Sequence, residues 1–396
     1  MAEFSKKILS NGMIVLHEKR DIDVTTVMLA TKFGALYETE QEKGISHLIE
    51  HLLFKGTKKR SAREIAFELE RVGGNLNAFT EEELIAYHVK LPSVHLDLAM
   101  DVIFDMFFNP KFDDQDITKE KGVICEEIKM YKDAPQRHVL DKIKSCLYGP
   151  PFGNFIAGNE KTVRNLKRED IIKKHEETHV AKNAILCVVG NNNFEEICCL
   201  AEKLSPKRDF KNYDFEKIIP INKREVEIRK EIEQANITLG FHFPFFNETE
   251  RVAGLVFSTI LGDGMSSKLF TEVREKRGLA YAVKTMLEEG KNYSYLVIYI
   301  GTEKSKVDEV IKICLEEFKK MGQISEKELV DGKQQVIGSF DVDSEGSDNT
   351  SLHLILNEIK GKAEDYYDFK QQVKKVSLAD VKRLAEIKDY SSFVLS

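Results

Sequence analysis

The chain has 396 residues, of which 42% are hydrophobic and 32% are charged. This composition predicts a folded protein with a large apolar core, and the length suggests two or three domains. A disordered chain, a collagen-like repeat and a small disulfide scaffold are excluded. The 66 acidic side chains outnumber the 59 basic ones and give a formal net charge of −7. The chain as a whole therefore offers no electrostatic support for nucleic-acid binding.

Neither export nor membrane insertion is indicated by the sequence. No apolar run approaches the roughly 18 residues that a membrane-crossing helix needs. The N-terminal region carries Asn11-Gly12, a hairpin-turn signal, where a signal peptide would have a long apolar segment. The six cysteines form no CxxC pair, so we expect reduced thiols. These features together predict a cytoplasmic protein with no membrane partner.

The first half predicts strands followed by helices. Alternating apolar residues around the hairpin signal and in VTTVMLATKFG predict two or three strands, and a helix follows over about residues 44–54. A capping box, Ser61 with Glu64, starts a second helix. The later predicted elements are an extended stretch at 75–91, a helix opened by Pro92, a long helical stretch over about 113–146, a polar helix over about 168–178 and the strand AILCVVG.

The second half repeats this order at an offset of 210 residues, so that Gly254 corresponds to Gly44. Such similarity indicates duplicated units. Residues 206–222 are polar, contain proline and show no periodicity, which predicts a linker between domains at 1–205 and 223–396. We predict an α+β fold with two homologous domains, each an antiparallel β-sheet with helices stacked on one face.

The sharpest feature is HLIEH at residues 47–51. On a helix, His47 and His51 are at positions i and i+4, so both imidazoles project from one face and can bind one metal ion. Glu50 lies beside that face, where it can accept a proton from a water molecule or serve as a third ligand. The motif is the HExxH zinc motif in reverse order. The alternative is a pair of core histidines satisfied by hydrogen bonds, because short motifs arise by chance.

A second stretch, HEETH at residues 175–179, matches HExxH literally. Its helix, KREDIIKKHEETH, is strongly polar and ends at the second histidine, just before a strand. A catalytic helix of this type is usually embedded beneath a cleft. We therefore interpret the stretch as a solvated helix end whose histidines, His175 and His179, lie near the C-terminal helix dipole.

Residues 44–92 resemble the active-site region of the inverzincin metallopeptidases, the pitrilysin/insulinase group, and are most similar to the two-domain mitochondrial-processing-peptidase type. The resemblance covers almost the whole chain, because LSNGMIVLHE, YGPPFGNFIAGNEKTVRNL and REKRGLAYAV recur in the same order and spacing. It implies a peptidase with one Zn²⁺ per chain and a peptide substrate.

The resemblance also implies a third zinc ligand, a glutamate about 76 residues after the second histidine, which is Glu127 in this sequence. Its neighbour Glu126 is a rival. The family has an acidic residue seven positions before the ligand, and Glu120 has that spacing from Glu127. Because seven residues are close to two helical turns, this pair would share a face, which favours Glu127. The alternative is that Glu120, Glu126 and Glu127 are ordinary glutamates on a solvated helix face. Three protein ligands would leave a fourth zinc position open.

In the second half, the two histidines correspond to Phe257 and Leu261, so this half is not expected to bind zinc. The resemblance implies instead that Arg274 and Tyr281, in VREKRGLAY, act on bound substrate. A tyrosine can donate to the scissile carbonyl as it becomes an oxyanion, and an arginine can help to hold the substrate. Without the resemblance, Arg274 would be interpreted as a surface helix charge.

Asn75, Asn77 and Ala78 follow a glycine pair, and the resemblance implies that they form an edge strand that pairs with extended substrate. Main-chain pairing is largely indifferent to side chains, so it suits the cleavage of varied peptides. Alternatively, NLNAFT is simply one more strand of the sheet.

These observations predict a zinc endopeptidase that hydrolyses unfolded peptides or precursor segments. Zinc would be bound by His47, His51 and Glu127, with Glu50 as the general base. The alternative is a non-catalytic structural or partner subunit of a processing-peptidase-like heterodimer. In four-domain relatives the zinc and the Arg/Tyr pair lie in the first and last domains. We therefore expect a homodimer, or a heterodimer with a homologous subunit, in which Arg274 and Tyr281 act on the partner chain's zinc.

Overall fold

The computed structural model describes residues 3–208, 210, 212–243 and 248–396, without the side chain of Glu248. The chain divides into two compact units of three segments each. The first unit comprises Met1–Ile128, Ile156–Glu216 and Asp343–Tyr366, and the second comprises Lys129–Phe155, Lys217–Val342 and Tyr367–Ser396.

The elements follow the predicted order closely. The strands are β1 Glu3–Ile8, β2 Ile14–Lys19, β3 Val24–Thr31, β4 Asn75–Thr80, β5 Ile85–Pro92, β6 Ala184–Gly190, β7 Arg224–Glu227, β8 Gln234–His242, β9 Ala280–Glu289, β10 Ser294–Glu303 and β11 Ser391–Leu395. The helices are α1 Ile45–Leu53, α2 Ala62–Glu70, α3 Leu96–Phe108, α4 Asp114–Asp133, α5 Pro135–Leu147, α6 Glu160–Asn165, α7 Arg168–Thr178, α8 Phe194–Leu204, α9 Glu248–Gly262, α10 Val307–Lys320, α11 Glu326–Asp343, α12 Ser347–Lys360, α13 Asp365–Lys375 and α14 Leu378–Leu384. A π-helical segment spans Phe270–Glu275.

One predicted helix is two helices in the structure. The stretch predicted at about 113–146 is divided into α4 and α5, and Pro135 is the first residue of α5. Proline has no N–H to continue the hydrogen bonding of a preceding helix, but it is well accommodated in a first turn.

The sheet of the first unit has the strand order β1-β2-β6-β3-β5-β4. All neighbours are antiparallel except β2 and β6, so the predicted antiparallel sheet contains one parallel pair. Helices α1 and α3 pack on one face, where Val27 and Leu29 of β3 share a core with Leu48 and Ile103. This core supports the helix that carries the HLIEH motif.

The second unit repeats the arrangement. Its sheet has the order β7-β11-β8-β10-β9, again with one parallel pair, β7 and β11. This order matches β2-β6-β3-β5-β4 of the first unit, and the offset of 210 residues relates the starts of β2 and β7 and those of β3 and β8. The predicted α+β fold with two homologous halves is therefore confirmed.

Helices also cover the second face of each sheet, which differs from the predicted one-sided stacking. In the first unit this helix is α12, whose Ser347 hydroxyl lies 2.8 Å from that of Thr26. In the second unit it is α5, whose Val139 carbonyl accepts a hydrogen bond from Thr238. Helices α5 and α12 are equivalents in the repeat, and each lies in the unit formed mainly by the other half of the sequence.

The segment predicted as a linker, 206–222, includes residues 209 and 211, which lie outside the described residues. The others belong to no helix or strand, although Pro220 forms an isolated bridge with Tyr148. The division at 1–205 and 223–396 stays a prediction, and the compact units interleave in sequence. In the described ranges, no helix has both the length and the apolar character needed to cross a membrane.

Candidate metal centre

Helix α1 begins at a glycine with a left-handed backbone. Gly44 has a φ of 98°, and an added Cβ would lie 2.6 Å from the Ala157 carbonyl oxygen. The buried Glu38 carboxylate accepts hydrogen bonds from the N–H groups of Gly44, at 3.1 Å, and Ser46, at 2.7 Å. A carboxylate at a helix N-terminus accepts hydrogen bonds from N–H groups that have no partner within the helix, and its negative charge interacts favourably with the helix dipole. Glu38 therefore fixes the start of α1, and the sequence gives no sign of this because no capping pattern links Glu38 to the helix.

His47 and His51 lie on one face of α1, as their spacing predicts. Their ring centroids are 4.7 Å apart and their planes meet at 74°. On the same helix, Leu48, Ile49 and Leu52 are buried in the core. The core packing therefore fixes the helix and leaves both imidazoles half-buried at the surface of the unit.

Helix α4 brings Glu127 to the histidine pair. Glu127 Oε2 lies 3.9 Å from His47 Nε2 and 3.6 Å from His51 Nε2. One ligand atom from each of the three side chains lies within 4.8 Å of the others. Tetrahedral zinc, with bonds of about 2.0–2.2 Å, needs ligand atoms separated by about 3.3–3.6 Å, and the two distances from Glu127 are at or slightly above this range. Glu126, the rival, is exposed and is not in this cluster.

Glu120 contacts the ring nitrogen of His51 that faces away from Glu127. Its Oε2 lies 3.2 Å from His51 Nδ1, and its Oε1 lies 2.8 Å from the ammonium of Lys55. Because the carboxylate accepts a hydrogen bond from Nδ1–H, it favours the tautomer whose lone pair is at Nε2, the atom nearest Glu127. Glu120 therefore contacts His51 on the side away from Glu127, its predicted supporting role stays a prediction, and Lys55 is a neighbouring residue that the sequence did not reveal.

His47 is neutral in the folded chain. Burial, reinforced by His51, lowers the pKa of His47 to about 4. Only a neutral imidazole has a lone pair for a metal, and two imidazoles with a carboxylate form a donor set that suits zinc. The residues present therefore fit a zinc ion.

Glu50 is held by the neighbouring strand β4. The Thr80 hydroxyl donates a hydrogen bond to Glu50 Oε2 at 2.5 Å. Burial raises the pKa of Glu50, while the bond from Thr80 and the proximity of His51 oppose that rise. A carboxylate with a raised pKa is a stronger proton acceptor than an exposed one. Thr80 was not found from the sequence, although Leu76, Ala78 and Thr80 alternate along one face of the strand.

Strand β4 is the last strand of its sheet, as predicted for the segment with Asn75, Asn77 and Ala78. Asn75 and Asn77 are exposed, whereas Ala78 packs against the core. Its hydrogen-bonded neighbour is β5, with Ala78 opposite Tyr87. The edge position is established, and pairing with substrate stays a prediction.

The HEETH stretch forms no metal cluster in the described part of the chain. Helix α7 ends before His179, as predicted, but the expected solvation is wrong, because His175 is 2% exposed and His179 0%. His175 Nε2 lies 2.8 Å from the Phe107 carbonyl oxygen, and His179 Nδ1 lies 3.0 Å from the Thr178 hydroxyl. Both histidines are thus core residues with hydrogen-bond partners.

Arg274 and Tyr281 lie in the second unit. Arg274 is exposed on the π-helical segment, with its guanidinium carbon 4.8 Å from the ring centre of Phe270. Tyr281 is 44% exposed on β9, which ends its sheet. A bulge leaves Tyr281 out of register, and its ring lies over Gly301, where an added Cβ would be 2.3 Å from a ring carbon. Both side chains are accessible, and their action on substrate stays a prediction.

Phe257 and Leu261 occupy the repeat positions of the two histidines on α9, and both are fully buried in the core. The second unit therefore places apolar packing where the first places imidazoles.

An i, i+4 histidine pair joined by a glutamate from a second helix, beside a buried carboxylate, is typical of zinc hydrolases that keep one metal position open. The α+β fold and this cluster define a candidate metallopeptidase. The chain belongs to the insulinase family of peptidases. Residues 13–159 match the family described as Insulinase (Peptidase family M16), and residues 165–336 match the Peptidase M16 inactive domain.

Several relatives carry zinc protease names. The uncharacterized zinc protease YmxG of Bacillus subtilis is 32% identical over 98% of this chain and 96% of its own length. An uncharacterized zinc protease of Rickettsia felis is 34% identical over 84% of this chain and 82% of its length. Among solved structures, a protease from Helicobacter pylori has a TM-score of 0.92 at 24% identity, with 100% of both chains covered, which shows the shared fold.

Proposed function

We propose that this protein is a zinc-dependent endopeptidase that hydrolyses unfolded peptides or peptide segments of precursor proteins. The observation that carries the proposal is the convergence of His47, His51 and Glu127, with donor atoms within 4.8 Å of one another. The zinc protease names of relatives that match 98% and 84% of this chain support the same metal.

The geometry supports a role for each of these residues in the proposed reaction. His47 and His51, through Nε2, and Glu127, through Oε2, would hold Zn²⁺. When bound, zinc supplies Lewis-acid chemistry, lowering the pKa of a water molecule and polarising the scissile carbonyl. Glu50 takes the proton from the attacking water at its carboxylate and passes it to the leaving amine. Glu120 keeps His51 in the tautomer that presents Nε2.

An extended peptide is the substrate that the edge strand supports. Strand β4 presents the exposed residues Asn75 and Asn77 and is next to α1, which carries Glu50. A peptide added to this edge would be held through its main chain, so its side chains could vary. A folded protein offers few free strands of this kind, which favours unfolded segments as substrates.

Hydrolysis of an internally quenched peptide tests the proposal. The purified chain is expected to cleave the peptide. A chelator should abolish this hydrolysis, and one equivalent of zinc per chain should restore it. The Glu50→Gln variant, loaded with the same zinc, is the matched control and should stay inactive. A zinc-loaded chain that cleaves no peptide would favour the non-catalytic partner subunit instead.

A homodimer completes the proposal, with Arg274 and Tyr281 acting on the partner chain's zinc. The test mixes Glu50→Gln with a variant that combines Arg274→Ala and Tyr281→Phe. After random exchange about half of the dimers are mixed, and if two-fold pairing holds, about a quarter of wild-type sites should return. Proven subunit exchange without recovery would exclude sharing in trans and favour a site supplied entirely by each chain.

A further inference from the structure

Strand β4 has two roles in the proposed site. Its free edge would pair with the substrate, and one of its side chains forms a hydrogen bond with the general base, Glu50. Its outer edge is the end of the sheet, and its inner edge is paired with β5 from Asn75 opposite Lys90 to Thr80 opposite Ile85. At the end of this strand, Thr80 donates a hydrogen bond to Glu50 Oε2 at 2.5 Å.

The direction of the Thr80 side chain follows from the register of the strand. Side chains alternate along β4, and Leu76 and Ala78 pack against the core that includes α1. Thr80 continues this series, so its hydroxyl points to the same side. The strand is thereby fixed at one end by packing and at the other by a bond to the Glu50 carboxylate.

We propose that Thr80 is a positioning residue for Glu50, and that through it the substrate-binding strand sets the orientation of the general base. The inference rests on the proposed function. A buried glutamate has three rotatable bonds, and a single short hydrogen bond from a fixed strand selects one orientation of its carboxylate. Misplacement of a catalytic group by about 1 Å can reduce the rate by as much as about 100-fold.

The kinetic test compares two substitutions at one position. Thr80→Val keeps the branched shape and removes the hydroxyl, whereas Thr80→Ser keeps the hydroxyl. We expect Thr80→Val to lower kcat about 10- to 100-fold, with KM within about twofold and one zinc per chain. Thr80→Ser should stay within about threefold of wild type. A Thr80→Val variant with normal kcat, or a Thr80→Ser variant as slow as Thr80→Val, would overturn the proposal.

Thr31→Val is the matched control. Thr31 is a buried threonine of the same sheet whose hydroxyl donates to the Thr178 carbonyl at 2.7 Å, and the proposed mechanism gives it no role. Its loss should lower stability and leave kcat unchanged. An equal fall of kcat in Thr31→Val and Thr80→Val would assign both effects to general destabilisation and overturn the positioning role.

A second measurement does not depend on activity. Urea unfolding of the full-length chain compares the effect of Thr80→Val beside Glu50 with its effect in a Glu50→Ala background. In the Glu50→Ala background, Thr80→Val should shift the urea midpoint by less than half as much as it does when Glu50 is present, because the hydrogen-bond partner of Thr80 has been removed. Equal shifts would contradict the contact. If wild type cleaves nothing, the proposed function fails, and this comparison still decides the Thr80–Glu50 contact.

Discussion

The first unit contains two histidine pairs with the same i, i+4 spacing, and only one of them forms a candidate metal centre. His47 and His51 have ring centroids 4.7 Å apart, and His175 and His179 have theirs 4.5 Å apart. Helix spacing therefore brings imidazoles together in both places. The difference is what faces them.

A carboxylate from a second helix faces the first pair, whereas aromatic rings and a backbone carbonyl enclose the second. Phe112 lies 5.1 Å from the His175 ring, and Phe107 lies 4.6 Å from the His179 ring, measured between centroids. Aromatic walls supply no third ligand, and the Phe107 carbonyl already accepts a hydrogen bond at His175 Nε2. A metal site thus depends on a third donor that arrives from elsewhere in the fold.

Removal of one histidine from the first pair should have the largest effect. We expect His47→Ala or His51→Ala to lower bound zinc from one per chain to nearly none, with peptide hydrolysis at the level of the chelated enzyme. Two remaining ligands do not hold zinc at the affinity of three. Metal analysis with a parallel activity assay checks this, and full zinc retention would show that the metal lies elsewhere.

The substitution Glu50→Gln should have the second-largest effect on activity, and it should slow catalysis without changing metal binding. The amide keeps the shape of the side chain but cannot accept the proton, so kcat should fall at least ~10²-fold while zinc content is unchanged. Steady-state kinetics on zinc-matched samples make the comparison. Near-normal turnover would contradict the general-base role.

Glu120→Ala should weaken the metal centre without emptying it. His51 would lose the acceptor at Nδ1 that fixes its tautomer, and such losses typically reduce metal affinity about 10- to 100-fold. Competition with a chromophoric chelator measures the dissociation constant. An affinity equal to that of wild type would mean that α1 alone orients His51.

The second pair, His175 and His179, should contribute to the stability of the fold and not to zinc binding. We expect the double substitution His175→Ala and His179→Ala to leave zinc content and kcat unchanged. The unfolding free energy should fall by about 1–3 kcal/mol for each buried hydrogen-bonded group removed. Urea denaturation gives the free energy, and loss of zinc from this variant would move the site to HEETH.

A pH series should sharpen the same contrast between the two histidine pairs. Burial lowers the pKa of His175 to about 4 and holds that of His179 well below its usual range, against about 6.5 for each in an unfolded chain. Between these values the unfolded chain binds more protons, so stability falls as the pH is lowered from 6.5 towards 4. The wild-type urea midpoint should drop more over this range than that of the double variant, and parallel curves would contradict burial of the pair.

The sequence revealed what local geometry determines. The face shared by His47 and His51 follows from helix spacing alone, and the position of Glu127 followed from its distance along the chain in a known family. Thr80, Lys55 and Glu38 were missed because their partners lie on other elements, so only the tertiary structure brings them together.

The burial of the second pair was missed for a different reason. The helix is strongly polar in composition, but Ile171, His175 and Thr178 are buried at i, i+4 and i+7, which is one helical stripe. Counting positions along that stripe, and not average polarity, would have predicted a core histidine.

The interleaving of the two units has a consequence for how the chain is made. The first sheet is complete once β6, Ala184–Gly190, has been synthesised, but α12, which covers its second face, ends at Lys360. At about 5–20 residues per second, that face remains open for on the order of ten seconds during translation. The first unit thus cannot finish folding until α12 has been synthesised, about 170 residues after its own sheet is complete.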